Sequence, residues 1–222
     1  MYRGHPDQQF GPVTYAQHGD DLMVLNIFRL IGGNCNHAKT YLDLGAHHPT
    51  TISNTRLLYE RGWRGVNIEA NPELIPAFHS ERPEDTTVQI GVGPETTGAT
   101  FYKYSPTSGR NTFSKDEVAT LEGVLKVSET VPLNLWSVNR IVERFCGGVW
   151  PAFLSVDIEG LDHAVLESAD FSASAPMVIC VETRRHETEA RRALLEQKGF
   201  FLYCRMGENL FFVRKDFKEV CY

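Results

Sequence analysis

The sequence predicts an α/β fold: a mainly parallel, doubly wound sheet covered on both faces and finished at one edge by an antiparallel hairpin. Three observations predict it. Apolar runs of strand length alternate with helical segments along most of the chain, the pattern of successive crossovers in a parallel sheet. The last two runs, in "FFLYCRMGENLFFVRK", meet at Met206-Gly207-Glu208 with no helix between them, so they pair antiparallel. Four of the five strand ends ("DLGAHH", "IEANP", "DIEG" and "ETRRH", with "IGVG" the exception) carry a carboxylate. In open parallel sheets, ligands sit outside those ends.

The elements follow in order. Residues 1–14, rich in Gly, Pro and Gln, read as a flexible arm ahead of a single domain over 15–222. In "DDLMVLNIFRLIGG", Leu22, Leu25, Ile27 and Phe28 have roughly helical spacing, with acids in front and Gly32-Gly33 as a stop. "TYLDLGA" is a buried strand. Ser53 caps the helix "NTRLLYERG", which ends at Gly62. "WRGVNIEA" is the second strand, Asn71-Pro72 starts a short helix that Pro76 leaves irregular, and "TTVQIGVG" is the third strand. "GATFYKYSPTSGRNTFS" reads as an extended arm with a polar loop, which is either a lid or a plain connection. "VSETVPLNLWSVNRIVERF" is a strand followed by a helix. "PAFLSVDIEG" and "LDHAVLES" are the fourth strand and its helix, and "APMVICVETRR" and "ETEARRALLEQKG" repeat the pattern.

Composition narrows the function. At 222 residues and 42% hydrophobic content, one domain with a full core is the natural size. A formal charge of -6 argues against binding nucleic acid through its phosphates. Five scattered cysteines (Cys35, Cys146, Cys180, Cys204 and Cys221) include no C-x-x-C pair, so reduced thiols in a cytoplasmic protein are expected. The first 21 residues contain no apolar signal core, and no stretch reaches transmembrane length, so no membrane association is expected.

The strand ends carry the chemistry. Asp43-x-Gly45 lets backbone approach a ligand beside an acid, and Glu69, 26 residues later, sits where nucleotide folds hold ribose hydroxyls. The second and third glycines of a pyrophosphate fingerprint are missing, which favours an adenosyl sulfonium over a dinucleotide. Asp157 and Glu159 point to one face, and Glu182 ends the neighbouring strand. Such acids need a partner: a substrate hydroxyl, a cation or an arginine. Among the histidines, His47 and His48 lie in the binding turn, and His163 and His186 lie near other strand ends. No H-x-x-x-H or H-E-x-x-H spacing is present, which argues against a zinc enzyme. Arg184, Arg185, Arg191 and Arg192 read as a solvated helix start.

With these residues in hand, the chain resembles the FkbM-type methyltransferases, which use S-adenosylmethionine. "YLDLGAHHPTTISNTRLLYERGWRGVNIEANPELI" is similar to their opening block, and "FLSVDIEGLDHAVLES" to their second. "YAQHGDDLMVLNIF" resembles the segment ahead of the first strand, and "NTFS" the loop after the third. The resemblance runs from Tyr15 to Arg214, with Ala70 where many members have proline and Asp20 where glutamate is usual. It implies a class I methyltransferase fold, a Rossmann-like sheet of seven strands with the last one antiparallel. It implies O-methylation of a sugar, polysaccharide or secondary-metabolite hydroxyl. It also implies that Asp43 and Gly45 line the methionine end of the cofactor and that Glu69 holds the ribose. The expected cofactor-binding set is Asp43, Gly45, His47, Ser53, Asn54, Glu69, Ala70, Gly91 and Asp157. Asp157 is the expected base, with Glu159, Glu182 and His186 behind it. Alternatively Asp157, Glu159 and Glu182 ligate Mg²⁺. The absence of [DN]-P-P-[YFW] argues against methylation of DNA bases. A nicotinamide-dependent oxidoreductase and an inert methyltransferase-like interaction module are the alternatives in other classes.

Overall fold

The computed structural model describes residues 13–32 and 38–217. Most of the expected N-terminal arm lies outside the described residues, as do Gly33, Cys35 and Cys221. Helix α1 spans Asp20–Gly32. Strands β1 (Thr40–Leu44), β2 (Arg64–Ile68) and β3 (Thr86–Val88) alternate with helices α2 (Arg56–Glu60) and α3 (Ile75–Glu81). Strands β4 (Gly91–Gly93), β5 (Thr97–Lys103) and β6 (Glu129–Ser137) follow, with helix α4 (Lys115–Thr120) between the last two. Helix α5 (Val138–Phe145), strand β7 (Phe153–Val156), helix α6 (Asp162–Ser168), strand β8 (Val178–Glu182) and helix α7 (Thr188–Gln197) restore the alternation. Strands β9 (Phe200–Met206) and β10 (Asn209–Arg214) form the hairpin.

Seven strands make one sheet in the order β3-β2-β1-β7-β8-β10-β9. The first five are parallel, and β10 runs antiparallel to both β8 and β9. This is the class I methyltransferase arrangement that the resemblance implies. The chain winds outward on one side of β1, then returns to β7 on the other, so the crevice between β1 and β7 is the switch point where ligands collect.

Period-2 alternation sorts the strand residues into two core layers. Leu42, Leu44, Val156, Val181 and Phe212 face α5, α6 and α7 through Ile141, Val165 and Leu195. Tyr41, Phe153, Cys180 and Phe211 face α1 and α2 through Val24, Ile27 and Leu58. Both faces of β1 are covered, which is why it reads as a near-continuous apolar run. Among the described residues, no helix is long and apolar enough to cross a membrane.

Two expectations change. The single third strand "TTVQIGVG" divides: β3 stays in the main sheet, while β4 joins a separate sheet of order β4-β6-β5. Bare backbone at Gly91 permits this, because a Cβ there would lie 2.5 Å from the Phe113 ring and 2.6 Å from Leu135. The short helix after β2 begins at Ile75, so Pro76, and not Pro72, occupies its first turn, where a missing N–H costs nothing.

Phe211 is fully buried in β10 between β8 and β9. Phe211→Ala should lower unfolding free energy by about 3–5 kcal/mol in urea titration. A loss below about 1 kcal/mol would show that the hairpin is not integral to the core.

Candidate active site

The turn after β1 is built around a close backbone approach. Gly45 has φ +77°, and a Cβ there would lie 1.8 Å from the Asp157 carbonyl oxygen, so no side chain fits. The N–H groups of Gly45 and Ala46 both donate to the Ile68 carbonyl, each at 3.0 Å, which ties the turn to β2. His47 also adopts a left-handed conformation, φ +50°. Its backbone N–H donates to Glu69 Oε2 at 2.8 Å, and the Asn71 N–H donates to Oε1 at 2.7 Å. The Glu69 carboxylate is thus held in plane by backbone alone. Burial pushes its pKa up to about 7 against the opposing pull of those two N–H groups.

Beneath this turn lies a buried polar network that sequence reading missed. Arg82 has no exposed surface. It donates to Asp85 Oδ2 (2.9 Å), the Tyr41 hydroxyl (2.7 Å), Thr55 Oγ1 (2.9 Å), Asn67 Oδ1 (3.0 Å) and Ser53 Oγ (3.4 Å). Thr55 in turn donates to Asp43 Oδ2 at 2.6 Å. Arg82 appears in the sequence only as one basic residue in a charged loop, "ERPED", and nothing in the spacing marks it as buried.

On the other side of the switch point, Asp157 follows β7, Glu182 ends β8 and Glu159 sits in a tight turn with φ +51°. One carboxylate oxygen from each lies within 4.8 Å of the other two. Burial raises all three pKa values, and repulsion from neighbouring acids adds to it; Glu159 is pushed up to about 8 and Asp157 well above the usual carboxylate range. The hydrogen bond between Asp157 and Glu182 adds to the rise at Asp157 and opposes it at Glu182. Asp162, and not Glu159, secures the turn, accepting from the N–H groups of Ile158 (3.1 Å) and Gly160 (3.2 Å).

Of the basic cluster, Arg185 and Arg192 are exposed as expected of a solvated helix start, and Arg191 and Arg184 depart from it. Arg191 is buried, 3.8 Å from Glu187 and under the influence of Asp162. Arg184 pairs with Glu117 on α4. The ion pairs made with Glu159 and Glu182 themselves come from the loop after β5. Arg110 Nη1 lies 3.3 Å from Glu159 and 4.0 Å from Glu182. The loop is fastened on three sides: Tyr102 and Thr112 exchange backbone hydrogen bonds, Asn71 Nδ2 donates to the Pro106 carbonyl at 2.6 Å, and Thr112 Oγ1 donates to the Glu159 carbonyl at 2.6 Å.

Two adjoining cavities meet at Gly45, His47, Gly109, Asp157 and Glu159. One is narrow, about 60 Å³, and adds Ile68, Glu69, Ala70, Ile90, Gly91, Val92 and Phe113 to its walls. The other is about 360 Å³, within the usual range of roughly 300–1,000 Å³ for small-molecule sites, and adds Asp43, Asn54, Glu182 and Arg110. Of the expected site residues, Asp43, Gly45, His47, Asn54, Glu69, Ala70, Gly91, Asp157, Glu159 and Glu182 line these cavities. Ser53 does not: it is buried beneath, accepting from the Arg56 N–H and from Arg82. His186 stands exposed on a 3-10 turn and lines neither cavity. Gln17, Ile90, Phe113 and Glu208 line them and were not expected. Gln17 and Phe113 lie in two segments that carry the resemblance, which was the one available signal.

The raised acids make stability depend on pH. Glu69 and Glu159 titrate above the ordinary glutamate value of 4.5, so the folded protein holds more protons than the unfolded chain between about pH 4.5 and 8. Their contribution is complete at the acid end of that window and is lost as pH rises through it. Tm should fall between pH 5.5 and 8, and Glu159→Gln should flatten that slope. An unchanged slope in Glu159→Gln would contradict the placement of Glu159 among buried acids.

The Methyltransferase FkbM domain family matches residues 43–202. Among solved structures, the chain is similar to a methyltransferase FkbM from Methylobacillus flagellatus KT, at 13% identity and TM-score 0.49 over 81% of this chain and 45% of that one. The chain therefore spans less than half the length of that relative. It is also similar to a TehB-like SAM-dependent methyltransferase from Corynebacterium glutamicum ATCC 13032 Kitasato (12% identity, TM-score 0.42, covering 94% of this chain and 92% of that one). A third is Precorrin-6y C5,15-methyltransferase from Geobacter metallireducens GS-15 (12% identity, TM-score 0.43, 93% of each chain). No curated protein sequence matches. The family match spans both cavity-forming strand ends, from Asp43 through Glu182, and on it the chain belongs to the FkbM methyltransferase family.

Proposed function

We propose that this chain is an S-adenosylmethionine-dependent O-methyltransferase acting on a hydroxyl of a sugar, polysaccharide or secondary-metabolite acceptor. The observation that carries the reading is the pair of features on either side of one crevice: a carboxylate held by backbone N–H groups at Glu69 and a cluster of buried acids at Asp157, Glu159 and Glu182. This reading leaves no role for a nicotinamide cofactor, because no phosphate nest accompanies Glu69.

The residues fit the cofactor. Each Glu69 oxygen accepts one backbone N–H and retains capacity for a ribose hydroxyl. Ile68, Ile90, Val92 and Phe113 offer apolar surface beside it. Asp43, at the wall of the larger cavity, would hold the cationic methionine end, with Gly45, His47 and Asn54 lining the same cavity. When bound, S-adenosylmethionine supplies a methyl group on a cationic sulfonium, open to in-line displacement.

The chain's own part is to align the acceptor and take its proton. Burial raises the pKa of both Asp157 and Glu182, and a higher pKa makes each a stronger proton acceptor when ionised. Glu159 and Arg110 line the same cavity beside them, and Arg110 balances part of the negative charge.

A second reading places a divalent cation on Asp157, Glu159 and Glu182, whose spacing permits it. The Arg110 guanidinium already supplies positive charge to two of these acids, which favours the acid–base reading. Turnover should persist in excess chelator; loss of activity restored by Mg²⁺ would establish the metal instead.

The two sides of the crevice separate experimentally. Asp157→Asn should lower kcat about 10²-fold or more, the usual scale for a positioned base, and leave the S-adenosylhomocysteine Kd within a few-fold. Glu69→Ala should weaken that Kd by roughly 1.5–3 kcal/mol through lost charge-assisted hydrogen bonds. An Asp157→Asn protein with normal kcat, or one that fails to bind S-adenosylhomocysteine, would show that the roles are wrongly assigned.

A further inference from the structure

We propose that Arg82 and Thr55 are positioning residues for Asp43, fixing it as an oriented carboxylate that faces the cationic end of the cofactor. The proposal rests on the cofactor reading above. Neither residue lines a cavity, so neither touches cofactor or acceptor.

The argument is one of hydrogen-bond direction. A guanidinium donates and never accepts. Arg82 Nη2 donates to Thr55 Oγ1 at 2.9 Å, so the single hydroxyl proton of Thr55 must point elsewhere. It points to Asp43 Oδ2, 2.6 Å away. That oxygen must therefore accept, which keeps it unprotonated and fixes the orientation of the carboxyl group.

A second observation shows that this hydroxyl is diverted from a local task. Thr55 is the N-cap residue of α2, a position where a threonine oxygen ordinarily accepts from the helix's first N–H groups. Here it makes no such bond. Ser53 Oγ accepts from the Arg56 N–H instead, at 3.2 Å. The chain uses a neighbouring serine for the helix start and commits Thr55 to Asp43.

The surroundings show why Asp43 needs this. It is buried, and burial raises its pKa, while Thr55, Arg82 and Ser155 lower it. Asp85 from the α3–β3 connection raises it further. Glu69 beyond β2, Asp157 beyond β7, His47 in the turn and Cys180 on β8 are the other titratable groups around it. Arg82 is the cation among these groups that reaches Asp43 through an intervening hydroxyl.

The test is S-adenosylhomocysteine binding by calorimetry from pH 5 to 8, with Tm measured in parallel. Thr55→Val should weaken binding about tenfold at pH 7, and the pH below which binding is lost should move upward, because a donor that favours the carboxylate form is gone. Thr55→Ser, which restores the hydroxyl, should recover both. Tyr41→Phe removes a different Arg82 partner and should lower Tm while leaving affinity and pH profile unchanged. If Thr55→Val does not fold, Thr55→Cys, with a weak S–H donor, should show the same loss of affinity in smaller measure. Unaltered binding and pH profile in a folded Thr55→Val or Thr55→Cys protein would overturn the proposal and leave the network purely structural. Failure of the unsubstituted protein to bind S-adenosylhomocysteine would overturn the cofactor reading and this proposal with it.

Discussion

Everything at the site follows from one close approach: the end of β1 presses against the backbone of Asp157 so tightly that residue 45 has room for no Cβ. That contact brings the strands on either side of the switch point together at their carboxyl ends. It turns the chain sharply, so that the His47 N–H faces Glu69, and it sets Asp43 and Asp157 into walls of one cavity. A pyrophosphate-binding turn would need further glycines to expose a nest of N–H groups. This turn spends its N–H groups on the Ile68 carbonyl and on the Glu69 carboxylate. What it offers a ligand is therefore anionic oxygen, suited to hydroxyls and to cationic groups.

The charge balance around the crevice is consistent with that. Acids outnumber bases in the larger cavity, where Asp43, Asp157, Glu159, Glu182 and Glu208 meet Arg110. Burying so many carboxylates is tolerable because each is relieved in a different way: Glu69 by backbone donors, Asp43 by Thr55 and Arg82, Glu159 by Arg110, and Asp157 with Glu182 by the hydrogen bond between them. Arg110 belongs to a loop that the second sheet presents, so the split of the third strand into β3 and β4 has a functional consequence. It creates a platform, β4-β6-β5, from which the loop reaches back over the strand ends.

Much of this was legible in the sequence. Alternating strands and helices, a hairpin at Gly207 and carboxylates at the strand ends are local patterns, and each corresponds to an observed element. Asp43, Glu69, Asp157 and Glu182 could be picked out because a strand end is recognisable and an acid there is unusual. Arg82 could not, because its burial depends on partners from β1, β2 and the loop before α2, none adjacent in sequence. Ser53 reads as a cap and does serve one, but the fold turns it away from the cavity. His186 sits near a strand end in sequence, yet three residues of 3-10 turn carry it to the surface. The break at Gln89–Ile90 was illegible for a similar reason: only the packing of Phe113 and Leu135 against Gly91 shows that the strand must change sheets.

The central claim is that the turn after β1 holds a phosphate-free sulfonium nucleoside. Calorimetric titration of the unsubstituted protein with S-adenosylhomocysteine and, separately, with NAD tests it most directly. The account predicts one-to-one binding of S-adenosylhomocysteine and no measurable heat with NAD. Saturable binding of NAD with none of S-adenosylhomocysteine would contradict it.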